Sequence, residues 1–303
     1  MSSHPPLVSL APGGAQLSPI VAGAWRMASW KLDAPARLRW IESALDLGVT
    51  SFDHADIYGD YQVEELFGEA RALAPSLRER MQLVTKCGIK LTSSRRPAHR
   101  IKSYDTSREH VLASVDQSLR ALRTDRIDLL LIHRPDALMD PDELAATFNE
   151  LRAAGKVLHF GVSNHLSSQL ALLQQRIPLS TNQLELSPLH LAALTDGTLD
   201  QCIALDIRPM AWSPLGGGRL FTDTTDEQAH RVRVVLGELA TDYDVSPATI
   251  AYAWIMRHPS RPLPITGSGR VEALREAVAA LGITLTREEW YRVWRAGAGR
   301  EIA

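Results

Sequence analysis

Apolar and polar positions alternate along this chain in two rhythms. Short, β-branched apolar runs, each closed by a polar cluster, are separated by stretches whose apolar residues recur at helical spacing. The runs are Pro19 to Ala24, Val49 to Phe52, Met81 to Thr85, Ile127 to Ile132 and Val157 to Val162. A shorter run around Thr181, closed by Asn182-Gln183, and the runs Ile207 to Ala211 and Leu263 to Ile265 complete the set. Between them the spacing predicts helices over Ala34 to Asp46 (Leu38, Ile41 and Leu45 inward, Gly48 the stop) and Val63 to Leu73. A capping box at Thr106–Glu109 opens a helix reaching Leu122, and Asp140-Pro141 and Ser246-Pro247 open two more, the latter over Ala248 to Arg257.

Two features lie outside this alternation. Leu7 to Leu10 and Gln16-Leu17 flank Gly13-Gly14, which predicts a small N-terminal β-hairpin; the capping pair Thr286 and Glu289 predicts a last helix to Trp294. Lys90 to Asp105 reads as a long polar loop. Eight strands alternating with helices is the rhythm of a parallel barrel. The fold class expected is α/β, a (β/α)8 TIM barrel with an N-terminal β-hairpin and a C-terminal extra helix, one domain over residues 1–303. No Gly-x-Gly-x-x-Gly follows the first strand, which argues against a doubly wound dinucleotide fold, and Gly216-Gly217-Gly218 reads as a flexible loop.

A barrel places its chemistry at the carboxyl ends of several strands at once. Asp53, Lys86, His133, Ser163-Asn164, Gln183, Trp212 and Gly267-Ser268-Gly269 fall there. Each alone is most often a cap or a turn; the combination carries the argument. A carbonyl that accepts a hydride develops charge on oxygen and needs a proton donor. Tyr58 is such an acid, Lys86 beside it would lower its pKa, Asp53 would orient Lys86, and His133 would donate a hydrogen bond to the carbonyl oxygen.

Composition narrows the classes. A net charge of -2 argues against a general nucleic-acid or anionic-membrane binder, and no apolar run is long enough to span a membrane. Arg95, Arg96, His99, Arg100 and Lys102 form a basic run that reads as solvated loop, with phosphate or substrate steering as the alternative. Two cysteines, Cys87 and Cys202, make neither a disulfide framework nor a zinc site, and the N-terminal stretch has no signal-peptide character, so a cytoplasmic setting is expected. His54 and Asp56 beside Asp53 raise a metal site, but with no His-x-His on the first strand and no second carboxylate paired with His133 none is expected. Strand alternation points Cys87 away from Lys86. Trp25, Met27 and Trp30 either line a substrate pocket or pack beneath it.

The residues 48–59 (Gly-Val-Thr-Ser-Phe-Asp-His-Ala-Asp-Ile-Tyr-Gly), 130–136 (Leu-Leu-Ile-His-Arg-Pro-Asp) and 161–165 (Gly-Val-Ser-Asn-His) resemble motifs of the aldo-keto reductases. The likeness runs from about Ile20 to Leu281, and Arg134-Pro135-Asp136 resembles the bacterial YdhF-like branch. The resemblance implies NADPH-dependent reduction of an aldehyde or ketone, with Asp53, Tyr58, Lys86 and His133 as the catalytic tetrad. It implies that Ser163, Asn164 and Gln183 hold the nicotinamide carboxamide and that Trp212, followed by Ser213, stacks on the ring. Leu215, Gly216 and Gly218 would run beneath the pyrophosphate. The helix start at Gly267, Ser268, Gly269 and Arg270 would suit a phosphate, Arg270 and Arg275 could pair with the 2′-phosphate, which favours NADPH over NADH, and Glu276 would reach the adenine. Ala277 departs from the Asn common at that position. The partner implied is a small-molecule carbonyl, on a monomer or weak oligomer. The alternatives are a nicotinamide-binding regulatory barrel without turnover, against which an intact tetrad argues, and a metal-dependent barrel hydrolase.

Overall fold

The structure, a computed structural model, describes residues 5–301. Eight parallel strands close into a barrel in sequence order: β1 (Val21–Gly23), β2 (Ser51–Asp53), β3 (Gln82–Cys87), β4 (Ile127–Ile132), β5 (Val157–Ser163), β6 (Asn182–Glu185), β7 (Met210–Trp212) and β8 (Leu263–Thr266). Helices α1 (Ala34–Asp46), α2 (Val63–Ala72), α3 (Arg108–Leu122), α4 (Pro141–Ala153), α5 (Ser167–Gln174) and α6 (Thr198–Ala204) follow the first six strands in turn. After a single turn at Arg219–Thr222, two longer helices, α7 (Glu227–Asp242) and α8 (Pro247–Met256), follow β7, and α9 (Val271–Ala279) follows β8. The expected C-terminal helix is α10 (Arg287–Ala298), held on α7 by Arg292 Nη2 donating to Glu238 at 2.6 Å.

Most strand ends differ from the sequence expectation in one direction. β3 continues through Lys86 to Cys87, β5 to Ser163, β7 to Trp212 and β8 to Thr266, while β6 begins at Asn182 rather than at Thr181. The reason is the pleat. Alternate side chains of a barrel strand face the lumen, so a polar residue at the barrel mouth stays in the ladder although the apolar run has ended. On β3, Val84 packs in the lumen core and Leu83 and Cys87 pack outward, which leaves Lys86 facing inward.

The predicted hairpin pairs Val8–Ser9 with Gln16–Leu17 about Gly13, whose φ of +67° suits glycine. It plugs the barrel: Leu10, Ala15 and Leu17 are buried among Val21, Val84, Leu129, Leu131, Met210, Leu263 and Ile265. A second hairpin, Ile89–Lys90 with Ser103–Tyr104, replaces part of the expected polar loop. Its two-residue strands are too short for periodicity to register. It is held by Asp105 N donating to Gly88 O (2.9 Å) and by the Lys90–Asp105 pair (3.1 Å).

Helix starts follow capping chemistry. Asp140 accepts from Asp142 N and Glu143 N, Ser246 from Thr249 N, and Thr286 and Glu289 form the reciprocal box. At α3 the cap is Ser107, not Thr106. Ser107 Oγ accepts from His110 N, while the Thr106 hydroxyl donates to Asp136 Oδ2 at 2.9 Å, a partner from the loop after β4 that local sequence does not reveal. Close helix packing also selects glycine: a Cβ on Gly68 of α2 would collide with the backbone carbonyl of Ala121 on α3.

Candidate active site

Asp53 ends β2 and Lys86 lies near the end of β3, and the inward alternation of both strands brings them together at the barrel mouth. Lys86 Nζ, fully buried, donates to Asp53 Oδ1 and Oδ2 (2.8 and 2.7 Å), to His54 O (2.8 Å) and to Tyr58 Oη (3.1 Å). Tyr58 reaches this point because the chain turns sharply after β2, its amide donating to Ala55 O. Gly59 then takes φ +57°, where a Cβ would also press on Ala28 and Val63 at 2.9 Å. His133, one residue beyond β4, presents its ring edge to Tyr58 with centroids 5.8 Å apart. The four tetrad residues predicted from sequence therefore form one connected group.

Electrostatics at the group depart from expectation in one respect. Lys86 was expected to bring the Tyr58 pKa down. Burial pushes the phenol up, and although the Lys86 charge works against this, the net pKa lies above the usual 10.0. Asp53, which itself raises the Tyr58 pKa, neutralises much of the ammonium's field from 2.7 Å. Burial also opposes the Lys86 charge, but Asp53 and then Tyr58 outweigh it, so the ammonium persists above its ordinary range. Burial, Lys86 and Arg134 hold His133 well below 6.5, leaving a neutral imidazole at neutral pH.

The group opens into a cleft of about 1180 Å³, larger than a drug-sized ligand needs. One wall carries Ser163, Asn164, Gln183 and Trp212. Trp212 Nε1 donates to Asn164 Oδ1 (3.1 Å), Asn164 Nδ2 to Ser163 Oγ (2.7 Å), and Gln183 Nε2 to Asp53 Oδ1 (2.8 Å). This amide network ties that wall to the tetrad. Ser213, Leu215 and Gly218 continue the lining, which also takes in Gly267, Ser268, Gly269 and Arg270 at the N-terminus of α9 and Glu276 further along that helix. Gly269 packs on Trp30, where a Cβ would come within 2.7 Å of the indole.

Three expected residues lie elsewhere. Met27 is 2% exposed and packs in the main core, so only Trp25 and Trp30 of that cluster line the cleft. Gly216 turns its α-carbon toward Leu189, and Gly217 lines the cleft in its place. Arg275 is exposed and does not line the cleft: next to Glu276 in α9, it is rotated by about 100° from it, off the face that Glu276 presents. Ala277 is buried in the core.

Several lining residues were missed in sequence. Arg26, half-way along a loop with no motif, donates to Gly217 O at 2.6 Å and closes the cleft over the glycine turn. Tyr252 enters from α8, and Ile57, Leu91, Lys102 and Tyr104 line the tetrad end. Arg134 was visible as the neighbour of His133, but its orientation was not. His54 does not face the cleft: its Nδ1 lies 3.3 Å from Val84 O, its ring packs edge-on to Phe67, and burial lowers its pKa to about 3. Cys87 is buried on the outer face of β3, as alternation required. Among the described residues no group of three or more His, Cys, Asp or Glu side chains is placed to hold a metal ion. No helix among them is long and apolar enough to cross a membrane.

Comparison with known proteins places these features in context. Residues 19–297 match the aldo/keto reductase family. Oxidoreductase YdhF of Escherichia coli (strain K12) is 50% identical over 97% of this chain and 98% of its own length. The 6-dehydroglucose reductase of Agrobacterium fabrum is 39% identical over 95% of this chain and 97% of its own. Among solved structures, the thermostable aldo-keto reductase Tm1743, in complex with the inhibitor epalrestat, superimposes with a TM-score of 0.79 at 25% identity, covering 96% of this chain and 99% of that one.

Proposed function

The chain belongs to the aldo/keto reductase family and is an NAD(P)H-dependent oxidoreductase acting on carbonyl groups; from that premise we propose that it reduces a small aldehyde or ketone with NADPH, Tyr58 supplying the proton. The observation that carries this reading is Lys86 Nζ held between Asp53 and Tyr58 Oη beside a neutral His133.

The residues fit a nicotinamide dinucleotide. The amides of Asn164 and Gln183 and the hydroxyl of Ser163 match the donors and acceptor of a carboxamide, and Trp212 offers an indole face beside them. Gly217 and Gly218, both at positive φ, present bare backbone for a close approach. The N-terminus of α9, with Gly267 and the Arg270 guanidinium, suits a phosphate dianion, which favours NADPH over NADH. Glu276 stands further along α9 for the adenine. When bound, the dihydronicotinamide supplies a hydride to the carbonyl carbon.

The protein's own part is to place and protonate the carbonyl oxygen. His133, kept neutral, keeps an N–H to donate to that oxygen and so orients it without adding charge. As negative charge develops there, Tyr58 Oη releases its proton to it, and the resulting phenolate is stabilised by the Lys86 ammonium 3.1 Å away. Asp53 fixes Lys86 through both oxygens, so the ammonium cannot swing away. One hydride and one proton convert the carbonyl to an alcohol, and Tyr58 is reprotonated from solvent.

The 39% identical relative is named for reducing 6-dehydroglucose, which supports a small polar carbonyl as substrate. The test is NADPH oxidation by wild type and Tyr58→Phe against aldehydes and diketones, with tryptophan fluorescence followed as NADPH or NADH is added. Turnover that falls at least about 100-fold in Tyr58→Phe while quenching persists is the expected result. Quenching without turnover would favour a regulatory barrel, and no quenching by either dinucleotide would overturn the reading.

A further inference from the structure

Arg134 is a cation without a counter-charge at the mouth of the barrel, its one charge-related contact among the described residues being the face of Trp212. It follows His133 at the mouth of the barrel, is only half-buried, and lines the cleft with its Cζ 5.8 Å from the Trp212 ring centroid. Among the described residues no carboxylate lies within ion-pair distance of it and no side chain or carbonyl accepts a hydrogen bond from it. It adjoins His133 in the chain and shares the cleft lining with Tyr58, His133 and Trp212, so the guanidinium opens into the same cleft as the tetrad.

The other charges of the cleft do not offset it. Asp53 and Glu276 are the acids that line it. Asp53 is committed to Lys86 and Gln183, and Glu276 lies on α9. Arg26 is engaged by Gly217 O. Lys102, from the second hairpin, also lines the tetrad end and has no partner among the described residues. Ile57, Leu91 and Tyr104 supply apolar wall between these cations. A partly buried guanidinium that has an aromatic face but no anion keeps its hydrogen-bond donors free, and its planar fork matches a carboxylate through two parallel hydrogen bonds.

Building on the reductase reading above, we propose that Arg134, with Lys102 at the mouth, selects substrates that carry a carboxylate, so that the chain reduces an oxo acid in preference to a neutral aldehyde or sugar. The carboxylate takes the Arg134 fork, the carbon body lies against the apolar wall, and the carbonyl oxygen meets Tyr58 and His133. Arg134 is then a specificity-determining residue, and removing it acts on substrate binding more than on proton transfer.

The experiment compares 4-oxobutanoate with its methyl ester under NADPH, as kcat/KM, in wild type, Arg134→Gln, Arg134→Lys and Lys102→Ala, with thermal melts reporting folding. Wild type is expected to favour the acid by about 10- to 100-fold, the range of one charge-assisted recognition. In Arg134→Gln the acid-to-ester ratio falls at least tenfold, mainly through KM; Arg134→Lys retains part of it, and Lys102→Ala loses less. In parallel, binding of 4-hydroxybutanoate and of its amide to the NADP+-loaded protein is followed by tryptophan fluorescence. Tighter carboxylate binding that is lost in Arg134→Gln, without any turnover, would uphold the selectivity and refute the catalytic reading. Equal treatment of acid and ester, or a ratio that survives in Arg134→Gln, would overturn this inference and leave the reductase reading standing.

Discussion

Lys86 and Tyr58, 28 positions apart in sequence, meet at 3.1 Å, Nζ to Oη, inside the mouth of a barrel. The contact has a directional consequence. Burial raises the Tyr58 pKa and Lys86 works against it, so Lys86→Met should raise it further. The variant is expected to lose about 100-fold or more in kcat for carbonyl reduction. Reduction needs the protonated phenol, so the basic limb of the pH–kcat profile should move to higher pH. A limb that stays in place would show that Lys86 does not act on Tyr58.

Asp53 is expected to matter for stability as well as activity. Asp53→Asn leaves the Lys86 ammonium, fully buried, without its carboxylate. Uncompensated burial of one partner of such a pair costs about 3–5 kcal/mol. Urea unfolding of the variant should show this loss, together with a Lys86 pKa no longer held above its ordinary value. Replacing both partners, Asp53→Leu with Lys86→Met, should recover most of the stability and none of the activity.

Glu64 makes stability depend on pH. It is buried, its Oε1 accepts from Thr85 Oγ1 at 2.5 Å, and burial pushes its pKa from 4.5 up to about 7. Between those values the native state holds a proton that the unfolded state has lost, so Glu64 makes stability fall as pH rises through that window. A shift of this size corresponds to roughly 3 kcal/mol. The stability difference between wild type and Glu64→Gln, measured from pH 4 to pH 8, should therefore move in favour of Gln by about that amount. The difference cancels the opposing contribution of the buried histidines, such as His54, which titrates in both proteins. A difference that is flat across the range would refute the assignment.

Gly68→Ala tests the α2–α3 contact. The added methyl would meet the Ala121 backbone carbonyl, which cannot rotate away as a side chain could. A loss of about 1–3 kcal/mol, read from the thermal midpoint, is expected. Gly237→Ala, where the methyl meets open space at a partly exposed position of α7, is the control and should not lower the midpoint.

Arg270→Ala tests cofactor choice. If the guanidinium takes the 2′-phosphate, the ratio of NADPH to NADH in kcat/KM should fall about 10- to 100-fold. Arg275→Ala should leave it unchanged, because Arg275 is exposed and does not line the cleft.

Sequence alone determined the alternation of eight strands and helices and placed Asp53, Lys86 and His133 at strand ends, because β-strand and α-helix periods are local properties of the chain. It also carried the family resemblance, through the contiguous motifs around Tyr58, His133 and Asn164. Turn geometry was out of its reach. Met27 and Gly216 stand beside residues that line the cleft, yet a four-residue helical turn at one and a positive φ at the other rotate them away from it. The two-residue strands of the second hairpin and the Thr106–Asp136 bond depend on partners distant in sequence. Tertiary structure alone decided that burial outweighs Lys86 at Tyr58 and that Arg134 has no counter-charge among the described residues. Both are sums over neighbours drawn from several strands, and such sums exist only once the barrel has closed.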